Sequence, residues 1–175
     1  KVRWEACPKC QNRMKTNELH DEHELQSWFI SEIGSFLASH DRKLIGWDEI
    51  LEGGLPDGAT VQSWRGMDGG RNAVAMGRNA IMSPTSHCYF DYPIESIDLE
   101  QVYGFEPEPE DLAGSGRILG GECNMWTERA PQDLVDSKVF PRMVAMSEVL
   151  WGAKQKRNWY DFQQRMGWHY HRLDA

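Results

Sequence analysis

Apolar positions along the chain follow two periods. From about residue 21 to residue 40, Leu25, Trp28, Phe29, Ile33, Phe36 and Leu37 recur at helical spacing. This predicts an amphipathic helix with its stripe facing the core. Short apolar runs at 43–49, 60–64, 79–83 and 117–126 predict four strands. Further helices are expected at 67–77, ended by Gly77, at 98–103, at 139–151 and at 159–173. In the 139–151 helix, Met143, Val144, Met146 and Leu150 should point inward. Glycine- and proline-rich segments at 53–58 and 105–111, and the stretch 84–92, read as loops. Residues 1–21 are polar, and no element is predicted there.

Strands alternating with helices imply parallel β/α units. The strand runs end in Trp or acidic residues, or feed a loop that carries them. In a β/α barrel that C-terminal face carries the active site. The run from Leu119 to Glu128 is the most informative. Read as a strand, its period of two puts Trp126 and Glu128 on one side. An indole face beside a carboxylate suits one sugar ring. The apolar C–H face stacks on the indole, and the hydroxyls donate to the carboxylate.

Composition narrows the classes. The chain has 175 residues, 40% hydrophobic and 26% charged, with eight Trp. That suits one globular domain rich in aromatic surface. A net charge of −8 argues against nucleic acid or an anionic membrane as partner. No apolar run approaches the roughly 18 residues of a membrane span. No signal peptide is visible, and a start at Lys1 is read as processed or truncated. Of the four Cys, Cys7 and Cys10 have zinc-knuckle spacing without a second ligand pair. Structural zinc, a disulfide and free thiols all stay open. The Gly69-Gly70 and Gly120-Gly121 pairs lack phosphate-loop spacing.

Taken together, the motifs resemble a known family. Gly46-Trp47-Asp48-Glu49, Val61-Gln62-Ser63-Trp64, Tyr89-Phe90-Asp91, and Gly121-Glu122 through Trp126-Thr127-Glu128 are similar to the C-terminal half of the catalytic barrel of glycoside hydrolase family 20, the β-N-acetylhexosaminidases. Pro141-Arg142-Met143 and the segment from Glu148 to Trp151 extend the match, as does the segment from Cys7 to Lys15. The resemblance implies an α/β fold, the C-terminal half of a TIM (β/α)8 barrel with about four parallel strands and flanking helices, as one partial catalytic domain over residues 1–175.

It also implies chemistry. Family members retain configuration through the substrate's own acetamido oxygen, outside the two-carboxylate scheme. Carried over, Tyr89 would hold the acetamido carbonyl oxygen for attack. Trp47, Trp64 and Trp126 would wall the pocket. Asp91 and Glu128 would accept hydrogen bonds from sugar hydroxyls. No cofactor or metal is implied, and the partners would be N-acetylhexosaminide glycans. The family's His-x-Gly-Gly-Asp-Glu motif, which carries the general acid, is absent from this sequence and is expected upstream of Lys1. Asp48-Glu49 follows a pocket Trp and is not that pair, since strand neighbours face opposite ways. Glu122 is a weak pocket candidate. His87 is expected as a solvated loop residue, and His169 and His171 as polar helix positions.

A closed barrel needs eight strands. Four strands leave open edges, so the chain is expected to be inactive alone and to pair with the other half barrel or a second copy. The bacterial look of the match implies a periplasmic or extracellular location. Two other readings compete: a carbohydrate-binding or scaffold module that keeps the pocket, and a small zinc-binding interaction domain built on Cys7 and Cys10.

Overall fold

A computed structural model describes residues 1–173. The chain forms two compact units. The first comprises residues 1–81 and 114–119; the second comprises residues 82–113 and the chain from residue 120 onward.

The first unit opens with α1 (Val2–Glu5) and α2 (Pro8–Thr16). Then come α3 (Glu22–Ala38), β1 (Ile45–Trp47), β2 (Thr60–Ser63) and α4 (Asp68–Ala75). β3 (Asn79–Met82) and β4 (Ile118–Gly121) complete a sheet of order β1-β2-β3-β4. β1 and β2 pair in parallel, with Ile45 opposite Thr60 and Trp47 opposite Gln62. At the β3–β4 pairing, the Ala80 N–H donates to the Arg117 carbonyl at 2.9 Å. Strand order thus follows chain order, as the alternation of strands and helices predicts. The core gathers Ile50, Ala59, Val61, Ala73 and Ala80, with Leu44 and Ile118 packed against it.

The helix starts have local causes. The Asp21 carboxylate accepts from the His23 and Glu24 N–H groups and caps α3. Pro8 opens α2, where a missing N–H costs nothing. The latter helix was not expected, because only Met14 of its nine residues is buried and no apolar period betrays it. The α3 stripe is also corrected. Leu25 is buried, but Phe29, Ile33 and Phe36 are 53%, 37% and 61% exposed.

Two strands are shorter than expected. β1 stops at Trp47 and the chain turns through a 3-10 segment, Asp48–Leu51. Asp48 and Glu49 therefore lie in a 3-10 turn and not, as expected, on opposite faces of a strand. β4 stops at Gly121, and Trp126 and Glu128 lie beyond it. Gly120 takes φ +134°, where a side chain is disfavoured, which helps end the strand.

The second unit holds α5 (Thr85–Cys88), α6 (Leu99–Tyr103), α7 (Val135–Val139), α8 (Arg142–Trp151) and α9 (Trp159–Leu173). The helix expected at 139–151 starts later, at Arg142, and Pro141, which has no N–H, lies between it and α7. The buried residues of α8 are Arg142, Ala145, Met146 and Val149. Of the four positions expected inward, Met146 alone is fully buried; Met143, Val144 and Leu150 are half-buried. Tyr103 joins three helices: its ring stacks on Phe162 at 4.4 Å, and its hydroxyl donates to Glu148 at 2.8 Å. The Arg165 guanidinium beside Glu148 holds that carboxyl below its usual range.

Gly121 is closely packed. A Cβ there would sit 2.9 Å from Phe105 and 3.0 Å from Leu150. Gly121→Ala should lower stability by about 1–3 kcal/mol through overpacking. Gly167, inside α9 with open space around it, should behave oppositely. Gly167→Ala is expected to gain about 0.5–1 kcal/mol. Urea titration of both variants checks the signs.

Candidate functional site

One side chain organises the second unit. Arg142 is fully buried at the start of α8. Its Nη2 donates to the Phe90 carbonyl at 2.5 Å and the Lys138 carbonyl at 2.7 Å, and its Nη1 donates to the Ile97 carbonyl at 3.0 Å. Its guanidinium also lies 4.8 Å from the centre of the Phe90 ring. Burial pushes the Arg142 pKa down, and the Asp91 carboxylate is the first charge that opposes this. Lys138 adds a bond from its ammonium to the Asp91 carbonyl at 2.6 Å. The loop after α5 is thereby fixed by donors from α7 and α8.

That loop and the chain after β4 are stitched together. Tyr89 bridges Asn124 in parallel sense. The Asn124 N–H donates to the Cys88 carbonyl at 2.7 Å, and the Phe90 N–H donates to the Asn124 carbonyl at 2.8 Å. Together they form a cleft of about 290 Å³ lined by Tyr89, Asp91, Tyr92, Trp126, Glu128 and Arg129. The Tyr89 and Tyr92 rings meet edge to face at 5.8 Å, and the Arg129 guanidinium sits 4.8 Å over Tyr92. Trp126 is 41% exposed. Asp91 is 3% exposed, and its Oδ1 is buried without a hydrogen-bond partner among the described residues. A buried carboxylate oxygen left unpaired is costly unless a ligand supplies the donor.

The first unit holds a larger cleft, about 370 Å³, whose lining includes Asp48, Glu52, Arg65 and Asn72. Its charges are already matched. Asp48 accepts from the Trp64 and Arg65 N–H groups and from the Arg65 guanidinium. Glu52 accepts from Lys1 and Arg65, which hold its carboxyl below the usual range. Glu49 accepts from the Trp64 indole at 2.9 Å. These acids hold the β1 and β2 ends in place.

Comparison with known proteins decides the family. The family model described as glycosyl hydrolase family 20, catalytic domain, matches residues 1–154. The chain belongs to this family. A β-hexosaminidase of Porphyromonas gingivalis is 42% identical over 181 residues, spanning 95% of this chain and 23% of that protein. Among solved structures, the Flavobacterium johnsoniae chitobiase is 35% identical with a TM-score of 0.81, covering 98% of this chain and 27% of its own. The Vibrio harveyi exo-β-N-acetylglucosaminidase, solved with N-acetylglucosamine, is 28% identical with a TM-score of 0.86 and covers 98% of this chain and 29% of its own. The chain therefore spans about a quarter of the length of these relatives.

Within this glycosyl hydrolase family 20 chain, the structure brings together four of the six expected site residues: Tyr89, Asp91, Trp126 and Glu128. Trp47 and Trp64 belong to the first unit, both half-buried. The common facing of Trp126 and Glu128 does not come from strand pleating, because a turn carries Glu128. Tyr89 and Asp91 are both buried. Glu122 is exposed and outside the cleft lining. His87 is half-buried beside Phe105 at 5.4 Å, and burial pushes its pKa down. All four cysteines are free thiols. Among the described residues no cluster of His, Cys, Asp or Glu could hold a metal.

Sequence reasoning missed Tyr92, Arg129 and the role of Arg142. A signal for the last was present. Residues 142, 145, 146 and 149 form one buried helical face, and an Arg heading such a face must find carbonyl partners. Arg142→Ala would strand the Phe90, Ile97 and Lys138 carbonyls. It should cost about 3 kcal/mol or more. Arg142→Lys should recover part of this, because an ammonium lacks the planar fork. Thermal and urea unfolding of both variants measure the difference.

Proposed function

We propose that this chain supplies the sugar-holding part of a retaining β-N-acetylhexosaminidase site. The observation that carries the reading is the buried, unpartnered Asp91 Oδ1 in a cleft that also offers the exposed Trp126 indole. In this proposal Trp126 stacks on the apolar face of a terminal N-acetylhexosamine, and Asp91 and Glu128 accept from its hydroxyls. Tyr89 donates to the acetamido carbonyl oxygen and aims it at the anomeric carbon. That oxygen, not a protein carboxylate, is the nucleophile. Orientation of this kind raises the effective concentration of the attacking atom. The family membership and the N-acetylglucosamine held by the Vibrio harveyi relative support the substrate class.

The general acid is proposed to come from the rest of the barrel. Asp48, the tempting acid of this chain, is held by Trp64 and Arg65, and Glu49 by Trp64. Trp47 and Trp64 enter the proposal through the family pattern, as pocket walls. The isolated chain is proposed to self-associate, supported by the apolar α3 residues Phe29, Ile33 and Phe36 left exposed. Light scattering at high concentration should find dimers or larger species; a monodisperse monomer removes that part.

The test is hydrolysis of a chromogenic N-acetyl-β-glucosaminide. The full-length protein carrying this chain should be active and the 175-residue chain inactive. In the full-length protein, Tyr89→Phe should lower kcat about a hundredfold, with KM changed less. Asp91→Ala and Glu128→Ala should chiefly raise KM. A full-length protein that binds the sugar without cleaving it would favour the binding-module reading. Cleavage by the isolated chain would overturn the division of labour and make Glu122 and Glu128 the first acids to replace.

A further inference from the structure

The first unit carries chemistry that handling a sugar does not use. Cys7 is the residue before α2, with extended backbone at φ −89° and ψ 114°, and Cys10 lies in that helix's first turn. Side chains three residues apart on a helix are neighbours on one face. The two cysteines thus stand three residues apart across the start of one helix. Both are partly exposed and neither is in a disulfide. Cys10 also lines a cleft of about 320 Å³ with Trp4, Lys9, Arg13, Trp28 and Phe29. The Arg13 guanidinium lies 4.9 Å over Trp28, so one wall pairs an aromatic face with positive charge.

We propose that Cys7 and Cys10 form a redox-active dithiol that exchanges with low-molecular-weight disulfides, Cys7 attacking and Cys10 resolving. The Cys7 thiolate attacks one sulfur of the disulfide. A Cys7–sulfur bond forms as the substrate's S–S bond breaks, and the first thiolate leaves and takes a proton. The deprotonated Cys10 then attacks the Cys7 sulfur and expels the second thiolate, which is protonated in turn. The protein loses two electrons and two protons to become a disulfide, and the substrate is reduced to two thiols. Reduced thiols in excess drive the same steps backwards.

The environment separates the two roles. The Cys10 backbone N–H, followed by the Cys10 thiol, holds the Cys7 pKa below the ordinary thiol range, and Lys9 acts in the same direction. The neighbouring Cys7 is the first cause that pushes the Cys10 thiol up, with burial and the charges of Cys7 and Glu22 adding to the effect. An attacking sulfur needs thiolate character, and its partner must hold its proton until the mixed disulfide exists. The other two cysteines provide internal controls. Burial pushes Cys123 up to about 12, and it pushes Cys88 up as well.

The experiment treats the reduced full chain with mixtures of oxidised and reduced glutathione, alkylates it and maps the thiols by mass spectrometry. Excess oxidised glutathione should convert the Cys7–Cys10 peptide to an internal disulfide, and excess reduced glutathione should reopen it. Cys88 and Cys123 should stay free throughout. Cys10→Ser should trap glutathione on Cys7. Cys7→Ser should leave Cys10 reacting about tenfold more slowly. A wild-type chain that stops at the mixed disulfide, or variants that react at equal rates, would overturn the proposal. If either variant loses its native circular dichroism, limiting iodoacetamide on the wild-type chain decides. Cys7 should be alkylated about tenfold faster than Cys10 at neutral pH. Equal labelling would sink the assignment of roles, whatever the outcome of the glycoside assay.

Discussion

The second unit depends on one buried cation. Arg142 gathers carbonyls from Phe90, Ile97 and Lys138 around a planar group that cannot lose its charge at ordinary pH. An apolar side chain in its place would leave those oxygens without donors. The guanidinium turns a loop with little regular hydrogen bonding into a fixed wall, and the cleft inherits that rigidity. The nearby Asp91 carboxylate in turn favours the charged form of Arg142. Placement of the loop and ionisation of its anchor are thus coupled.

The acids at the two clefts differ in whether their hydrogen-bonding capacity is already committed. Asp48, Glu49 and Glu52 are engaged by Trp64, Arg65 and Lys1, and their work is to fasten strand ends. Asp91 is buried just as deeply as Asp48, yet one of its oxygens has no donor. Burial alone would not tell these carboxylates apart; the accounting of donors does. The same reasoning separates the cysteines. Cys88 is buried and its thiol is pushed up by that burial, whereas Cys7 and Cys10 are partly exposed at the start of one helix.

Much of the fold was legible because its strands are short apolar runs separated by helices. β2, β3 and α9 lie where the pattern puts them, and the family motifs already named four of the six residues that line the cleft. Legibility failed where packing overrides local pattern. The α2 segment has almost no apolar period, and its start rests on Pro8. The α3 stripe looked like core because periodicity reports amphipathicity and not what covers the face. Trp126 and Glu128 share a cleft for a different reason than strand pleating. β4 ends at Gly121, and the Tyr89–Asn124 bridge anchors the stretch that follows. Arg142 was visible only as part of a motif, since its partners are carbonyls far away in the chain.

The division of the chain into units has a consequence for synthesis on the ribosome. Residues 114–119 belong with residues 1–81, although residues 82–113 of the other unit come between them. The Ala80 N–H finds its partner only when Arg117 has been made. The N-terminal unit therefore cannot close in the order in which it is translated, unlike a domain encoded by one continuous stretch. During elongation its sheet waits with an unpaired edge at β3, the kind of edge that templates pairing with another strand.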